Sequence, residues 1–347
     1  MSKRPRSRRG ALRIAGWAAV ATAVAVSLIA GLVVWSYVGP GPAARRGEVT
    51  TVVLERGSGV SQIAATLADA GVIGSAGVFL TAVQLGGAAG ALQAGEYEFS
   101  SRTPMVRVLG DIRNGKVVRH LITIPEGWTS AMAAEAVGRE AVLTGEVAIP
   151  PEGSLLPDTY QVQRGDSRAV VIRRMRTAQE ELMAKLWTGR QPGLPTATPA
   201  QAVTLASIVE KETALASERP RIAAVFVNRL RSGMRLESDP TIIYGISRGR
   251  ALGRGIRASE LAAATPWNTY QIDGLPPTPI ANPGREALAA VLNPPASREL
   301  FFVADGSGGH AFAETYAAHQ ANVARWRQVE RARAEVPGLT PTQGAGR

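Results

Sequence analysis

The 347-residue chain has no cysteine, which excludes a disulfide framework, a thiolate metal site and a lipid anchor built on an acylated cysteine. Its three histidines, His120, His310 and His319, lack metal-ligand spacing, so no metal is expected. Also absent are a Gly-x-Ser-x-Gly elbow, a phosphate-cradling glycine loop and a zinc-protease helix. No internal repeat appears, and nothing in the sequence calls for a cofactor. Acidic residues are missing from the first 46 positions, which hold eight basic ones: Lys3, Arg4, Arg6, Arg8, Arg9, Arg13, Arg45 and Arg46. The net charge of +11 is concentrated there, because the other 301 residues carry 31 basic side chains against 28 acidic, only +3. A nucleic-acid partner is thereby excluded.

Charge of either sign is absent from Ile14 to Val38, a run of 25 residues rich in Ala, Val, Leu and Ile. Trp17 stands near one end, and Trp35 and Tyr37 at the other, where aromatic rings favour the membrane interface. Such a run spans a bilayer of about 30 Å with some tilt. A cleavable signal peptide has a shorter apolar core of roughly 7–15 residues and a small-residue cleavage site. Ala43-Ala44 makes a poor site of that kind, so the sequence predicts a retained transmembrane helix over 14–38. The basic tail, residues 1–13, holds the N-terminus in the cytoplasm, and everything after Pro40 lies outside.

Residues 39–48, with Gly39-Pro40-Gly41-Pro42 and Arg45-Arg46-Gly47, read as a linker. Thr50 to Leu54 reads as a strand, and a short helix through Ile63 and Leu67 ends at Gly71. Val78 to Leu85 is a second helix, Leu92 to Phe99 a strand, and Val106 to Ile112 a further helix. This small α+β unit is either a spacer or a carbohydrate-binding module. The next unit opens with a strand from His120 to Ile124 and the Pro125-Glu126-Gly127-Trp128 turn, after which Thr129 caps an Ala-rich helix. Glu152 to Tyr160 reads as a loop with exposed polar groups. Val171, Met175, Ala178, Leu182 and Leu186 mark an amphipathic helix, and Ile222, Val225, Phe226 and Leu230 another, stopped by Gly233. From Glu335 the chain is Pro- and Gly-rich, and a disordered tail is expected over 335–347.

The octet Ala206-Ser207-Ile208-Val209-Glu210-Lys211-Glu212-Thr213 is the most informative stretch. It closes a helix that Thr198 caps and Pro199 starts. Leu205, Ile208, Val209 and Glu212 share one stripe. Glu210 lies off it, over Val203, Ala206 and Ser207, where small side chains leave room for a bulky ligand. Two readings stand at this point: a general acid facing a cleft, or a solvated Glu-Lys-Glu helix end. Lys211 points about 100° away from Glu210, toward Glu212 or solvent. From Leu236 to Gly284 the chain is crowded with turn residues and with polar side chains that loops present to ligands. Asn268, Tyr270 and Trp267 suit a sugar: amides and hydroxyls bond its hydroxyls, and an aromatic ring covers its apolar face. Asp239-Pro240-Thr241 and Asn282-Pro283-Gly284 read as turns, and His310 as a loop residue before the last helix.

In order, the motifs are Leu156-Pro157-Asp158-Thr159-Tyr160, the octet, Val227-Asn228-Arg229-Leu230, Gly233-Met234-Arg235-Leu236 and Ser238-Asp239-Pro240-Thr241-Ile242-Ile243-Tyr244-Gly245. Then follow Asn268-Thr269-Tyr270, Gly274-Leu275-Pro276-Pro277, Asn282-Pro283-Gly284, Phe302-Val303-Ala304-Asp305-Gly306 and Gly309-His310-Ala311-Phe312. In this order the chain resembles the membrane-anchored endolytic murein transglycosylases of the YceG-like family, over roughly residues 50–330. The resemblance implies an α+β architecture: the transmembrane helix, a small LysM-like module (49–116) and a larger catalytic domain (117–334). It implies Glu210 as the catalytic acid. It also implies peptidoglycan glycan strands as substrate, cut between N-acetylmuramic acid and N-acetylglucosamine with formation of 1,6-anhydromuramyl ends. The substrate-binding set expected from the motifs is Asp158, Tyr160, Ser207, Asn228, Arg229, Asp239, Tyr244, Asn268, Tyr270, Asn282 and His310. The expected place is the outer, periplasmic face of the inner membrane, where the enzyme ends strand elongation beside peptidoglycan synthases. Rival readings are a two-carboxylate muramidase, with Asp239 or Glu212 as the second group, and a non-catalytic glycan-binding scaffold.

Overall fold

The computed structural model describes residues 8–334. Most of the predicted basic tail and all of the predicted disordered tail, 335–347, lie outside the described residues. The chain folds as α+β in two compact units, one running to His120 with residues 163–165, the other comprising 121–162 and the chain from Asp166 onward.

In the first unit α1 (Arg8–Val38) begins before the uncharged run. Its segment Gly16–Val38, 23 residues with a mean hydropathy of 2.3, is long and apolar enough to cross a membrane, and none of it is buried. Trp17, Leu28, Leu32 and Trp35 all stand exposed. Next come β1 (Val49–Leu54), α2 (Val60–Asp69), α3 (Ala76–Leu85), β2 (Gly95–Ser100) and α4 (Met105–Arg113). The two strands pair antiparallel, from Val49 opposite Ser100 to Leu54 opposite Gly95. Strand alternation turns Val52, Leu54, Tyr97 and Phe99 onto one core with Ile63, Leu67, Phe79 and Val108, as a pleat of period two requires. Gly71 ends α2 in the left-handed region at φ +75°. β2 starts at Gly95 rather than Leu92, because a 3₁₀ turn at Ala89–Ala91 delays it.

The second unit contains β3 (His120–Thr123) from Leu121 onward, α5 (Ser130–Arg139), β4 (Thr159–Val162) and α6 (Arg168–Thr188). β3 and β4 form a two-stranded sheet, and the Thr129 hydroxyl caps α5 by accepting from the Met132 amide at 3.3 Å. α6 buries Val171, Ile172, Met175, Gln179 and Met183, so its inner stripe is rotated slightly from the expected one. Glu152 to Asp158 is a loop that exposes Asp158, as expected, while Leu155 and Leu156 anchor it in the core and Tyr160, in β4, is nearly buried.

α7 (Pro199–Glu212) is the centre of this unit. The Thr198 hydroxyl accepts from the Gln201 amide at 3.2 Å and Pro199 opens the helix. α7 packs against both α8 (Arg219–Arg231) and α11 (Arg285–Leu292). Every residue from Thr204 to Glu210 is buried, so α7 is a core helix rather than an amphipathic surface one. Leu205, Ile208 and Val209 meet Phe226, Leu288 and Val291 in one cluster. Ala202 and Ala206 let the neighbouring helices come close. Because Glu210 and Glu212 are both buried, the solvated-helix-end reading is overturned.

Two corrections concern the later chain. The stretch read as loops contains α9 (Asp239–Ser247) and the short α10 (Ala258–Ala262). Asp239 and Pro240 form its first turn, since Pro starts helices as readily as turns. His310 belongs to a strand: β5 (Phe301–Ala304) and β6 (His310–Ala313) make an antiparallel hairpin ahead of α12 (Tyr316–Ala334).

Glu212 is sealed in this core. Burial raises its pKa to about 7, against lowering by the Ser238 hydroxyl bonded to it and by Arg229, while Asp239 adds to the rise. Between about pH 4.5 and pH 7 the unfolded chain ionises here while the folded chain stays protonated, so stability falls across that window and levels above it. Glu212→Gln should remove the fall and stabilise the protein at pH 8 by about 2–3 kcal/mol relative to pH 4.5. Urea denaturation midpoints of the two proteins at both pH values check this.

Candidate active site

Glu210 sits in the last turn of α7 with 3% of its side chain exposed. Two donors reach it. The Gly284 amide donates to Oε2 at 2.9 Å, and Arg219 Nη2 donates to Oε1 at 2.9 Å. Gly284 immediately precedes α11, whose unpaired N-terminal amides favour a negative partner. Arg219 starts α8 and is itself buried, with 10% of its side chain exposed. It serves two further carboxylates: the same Nη2 donates to Glu126 at 2.9 Å, and Nη1 donates to Glu286 at 2.8 Å. Their side chains are 40% and 61% exposed.

Glycines make this packing possible. The Pro125–Trp128 turn lies over Glu210, and Gly127 takes φ +75° there. A Cβ on Gly127 would touch Glu210 Cγ and Lys211 Cδ at 3.6 and 3.3 Å, and one on Gly284 would fall 1.9 Å from Glu126 Oε1. The turn is tied to the 282 segment by Gly127 N donating to Asn282 O at 3.0 Å and Asn282 N donating to Trp128 O at 2.9 Å. Lys211 is exposed and turns to the carbonyl of Gly127 at 3.4 Å; Glu212 bonds Ser238 instead.

Burial raises the pKa of Glu210, opposed first by the Gly284 amide and then by the charge of Arg219; Glu126 pushes it up and Lys211 down. The group thus has an environment that favours a proton and also donors that stabilise it once ionised. Such a carboxyl can give a proton and take one back.

Of the residues expected to bind substrate, most hold loops in place. Asn282, wholly buried, donates to Trp128 O and Ser130 Oγ and accepts from the Leu155 amide. Ser207 accepts from the Ile280 amide at 3.0 Å, and Asn268 donates to the carbonyls of Leu261 and Ala263. Asn228 donates to the carbonyls of Ser297 and Glu299. Arg229 is bound by Leu300 O, Arg235 O, Leu236 O and Glu237. Tyr160 donates to Leu156 O, and burial pushes its hydroxyl up to about 12. Burial, and then Asp239, push the Tyr270 hydroxyl above its ordinary range, and it donates to Asp239 at 2.7 Å. His310 pairs with Glu218 at 2.7 Å. Asp158 is exposed, and its bond from Arg285 holds its carboxyl below the usual range.

Open space lies beside this cluster. A cavity of about 380 Å³ is lined by Lys211, Asp239, Pro240, Tyr244 and Arg254 among others. Tyr244 donates to Glu152 at 3.2 Å, and burial raises the pKa of Glu152, which also accepts from the Ser130 amide. Sequence reasoning missed Glu126, Glu152, Arg219, Glu286 and the amide of Gly284. Glu126 stood in a quoted Pro-Glu-Gly-Trp turn, yet its partner is 93 positions away, and no local signal connects them.

The family model described as YceG-like matches residues 52–325. An endolytic murein transglycosylase of Bacillus subtilis is 28% identical, covering 76% of this chain and 81% of the relative. One of Streptococcus pneumoniae is also 28% identical, covering 79% of this chain but only 58% of the longer streptococcal protein. A crystal structure of a YceG-like protein of Listeria monocytogenes matches with 29% identity and a TM-score of 0.49, over 80% of this chain and 99% of that one. With the family match running through both units and across the whole Glu210 cluster, the chain belongs to the YceG-like family.

Proposed function

We propose that the protein is an endolytic peptidoglycan transglycosylase with Glu210 as its one catalytic acid and base. The observation that carries this reading is the buried Glu210 carboxyl, with its raised pKa, held by the Gly284 amide and Arg219. The names of the Bacillus and Streptococcus relatives support it. Protonated Glu210 gives its proton to the glycosidic oxygen between N-acetylmuramic acid and N-acetylglucosamine. The bond from that oxygen to the muramyl C1 breaks, and the muramyl 6-hydroxyl closes on C1. Glu210, now a carboxylate steadied by the Gly284 amide and Arg219, takes the hydroxyl proton. The products are a free N-acetylglucosamine end and a 1,6-anhydromuramyl end. Protons balance without water, and no cofactor is needed.

On this reading residues 117–334 are the catalytic domain and 49–116 a LysM-like module, for which the β–α–α–β order of β1, α2, α3 and β2 speaks. Residues 14–38 anchor the chain in the inner membrane with the basic N-terminus cytoplasmic. The enzyme then works on the periplasmic side, ending the elongation of nascent strands near peptidoglycan synthases. Asp158 and Tyr244, with the cavity beside Lys211, are the expected binding residues best placed to meet a glycan.

A second, hydrolytic reading has one observation in its favour. Glu126 and Glu210 share Arg219 Nη2 and so lie within about 6 Å of each other, near the spacing of a retaining glycosidase pair. Arg219 fills the gap between them, where a sugar C1 would have to sit, and this favours the transglycosylase.

Two outcomes follow. Glu210→Gln should lower the digestion of purified glycan strands by about 10²–10⁴-fold with the fold intact by circular dichroism; unchanged digestion overturns the assignment. In H₂¹⁸O, mass spectrometry should find anhydromuramyl ends without label. Labelled reducing ends would establish the hydrolytic reading instead.

A further inference from the structure

Arg219 alone faces three carboxylates, and its own Nε is buried without a partner. With Glu126, Glu210 and Glu286 all ionised, the cluster would hold two uncompensated negative charges, one of them almost wholly out of water. The least costly site for a proton is the carboxyl with least solvent, and the exposures of 3%, 40% and 61% rank Glu210 first. We propose that Glu126 is a positioning residue that keeps the proton on Glu210, by sharing Arg219 Nη2 and presenting a fixed negative charge against it. The proposal rests on Glu210 being the acid. It adds that the Pro125–Trp128 turn, seated by Asn282 and made possible by Gly127 and Gly284, sets the protonation of that acid.

The charged groups on elements packed around Glu210 are few. α7 brings Lys211, exposed and turned to Gly127. The start of α8 brings Arg219, and Glu218 before it is occupied by His310. α11 brings Glu286, with Arg285 bound to Asp158. The turn brings Glu126 alone. Removing its charge leaves Arg219 more fully to Glu210, and an ionised Glu210 becomes cheaper. Activity that needs a protonated Glu210 is lost as pH rises through its pKa, so the alkaline limb must move to lower pH.

The test is the pH dependence of kcat/KM of the detergent-solubilised full chain on purified glycan strands, for wild type, Glu126→Gln, Glu126→Asp and Glu286→Gln. Glu126→Gln keeps a side chain able to bond Arg219 and should move the alkaline limb down by about one pH unit. Glu126→Asp should restore it, and Glu286→Gln should shift it the same way by less, being more exposed. Infrared difference spectra against Glu210→Gln read the protonated Glu210 carboxyl without turnover, and its midpoint should follow the same order. An alkaline limb and infrared midpoint unmoved by Glu126→Gln would overturn the proposal, as would an equal loss at every pH. If Glu126→Gln does not fold, an unmoved midpoint in Glu286→Gln overturns it. A fully active Glu210→Gln would sink the function on which this rests, while the infrared midpoint still decides the charge coupling.

Discussion

The carboxylate cluster of the second unit is organised around the buried guanidinium of Arg219. A guanidinium with a tenth of its side chain in water is costly unless carboxylates meet it, and here they arrive from three separated segments. Glu210 comes from the end of α7, Glu286 from the first turn of α11 and Glu126 from a turn far earlier in the chain. This requirement dictates the loops. The turn over α7 needs the left-handed φ of +75° that Gly127 supplies, and Gly284 must leave space for the carboxylate of Glu126. A side chain at Gly284 would push the Glu126 carboxylate away from Arg219, and one at Gly127 would strain the turn that carries Glu126, so these backbone positions belong to the electrostatics of the cluster.

The small residues of α7 serve the same end by another route. Ala202, Ala206 and Ser207 allow α8 and α11 to pack against the helix, which is what brings Arg219 and Glu286 to its C-terminal end. Ser207 adds a polar pin, accepting from the Ile280 amide, and so fixes the segment that ends in Gly284. Asn282 completes the frame. Its amide donates twice and accepts from the Leu155 amide, and its backbone pairs with the turn. With both donors used it has little left to offer a ligand.

That distinction explains how much was legible in the sequence. The cap at Thr198, the proline at the start of α7 and the stripe of Leu205, Ile208 and Val209 are local patterns that formed as read, and the membrane-length run lies in a helix that begins earlier, at Arg8. Glu210 stood out as a carboxylate over small side chains, yet its pattern also fitted a solvated helix end, and only the family resemblance singled it out. The other polar motif residues carry no mark that separates a ligand contact from a loop clamp. Asn228, Asn268 and Asn282 each bond backbone carbonyls of distant or neighbouring segments, and only coordinates reveal which. Asp239-Pro240 misled for a different reason: Asp and Pro open helices and turns alike, so the dipeptide does not decide between them. Arg219 was invisible because its importance lies in partners 9, 67 and 93 positions away.

Glu210 and Glu212, two residues apart on one helix, show why burial alone does not make an acid useful. Both have pKa values raised by desolvation. Glu212 accepts from a serine hydroxyl and faces Asp239, whose charge opposes ionisation while that of Arg229 favours it; it lines a small cavity of about 80 Å³. Its ionised form would meet one hydroxyl donor and a guanidinium whose hydrogen bonds go to Leu300, Arg235, Leu236 and Glu237. Glu210 has the opposite arrangement, because the amide of Gly284 and the guanidinium of Arg219 wait for the charge that burial resists. A group asked to donate a proton and then recover one from a hydroxyl needs both of its states within reach. Fixed donors lower the cost of the ionised state without water having to reorganise, while Glu126 keeps the protonated state favoured at rest. The opposed influences on Glu210, with a backbone amide and a guanidinium bonded directly to its carboxyl, are therefore the feature that suits it to acid and then base, whereas Glu212 is bonded by the neutral hydroxyl of Ser238.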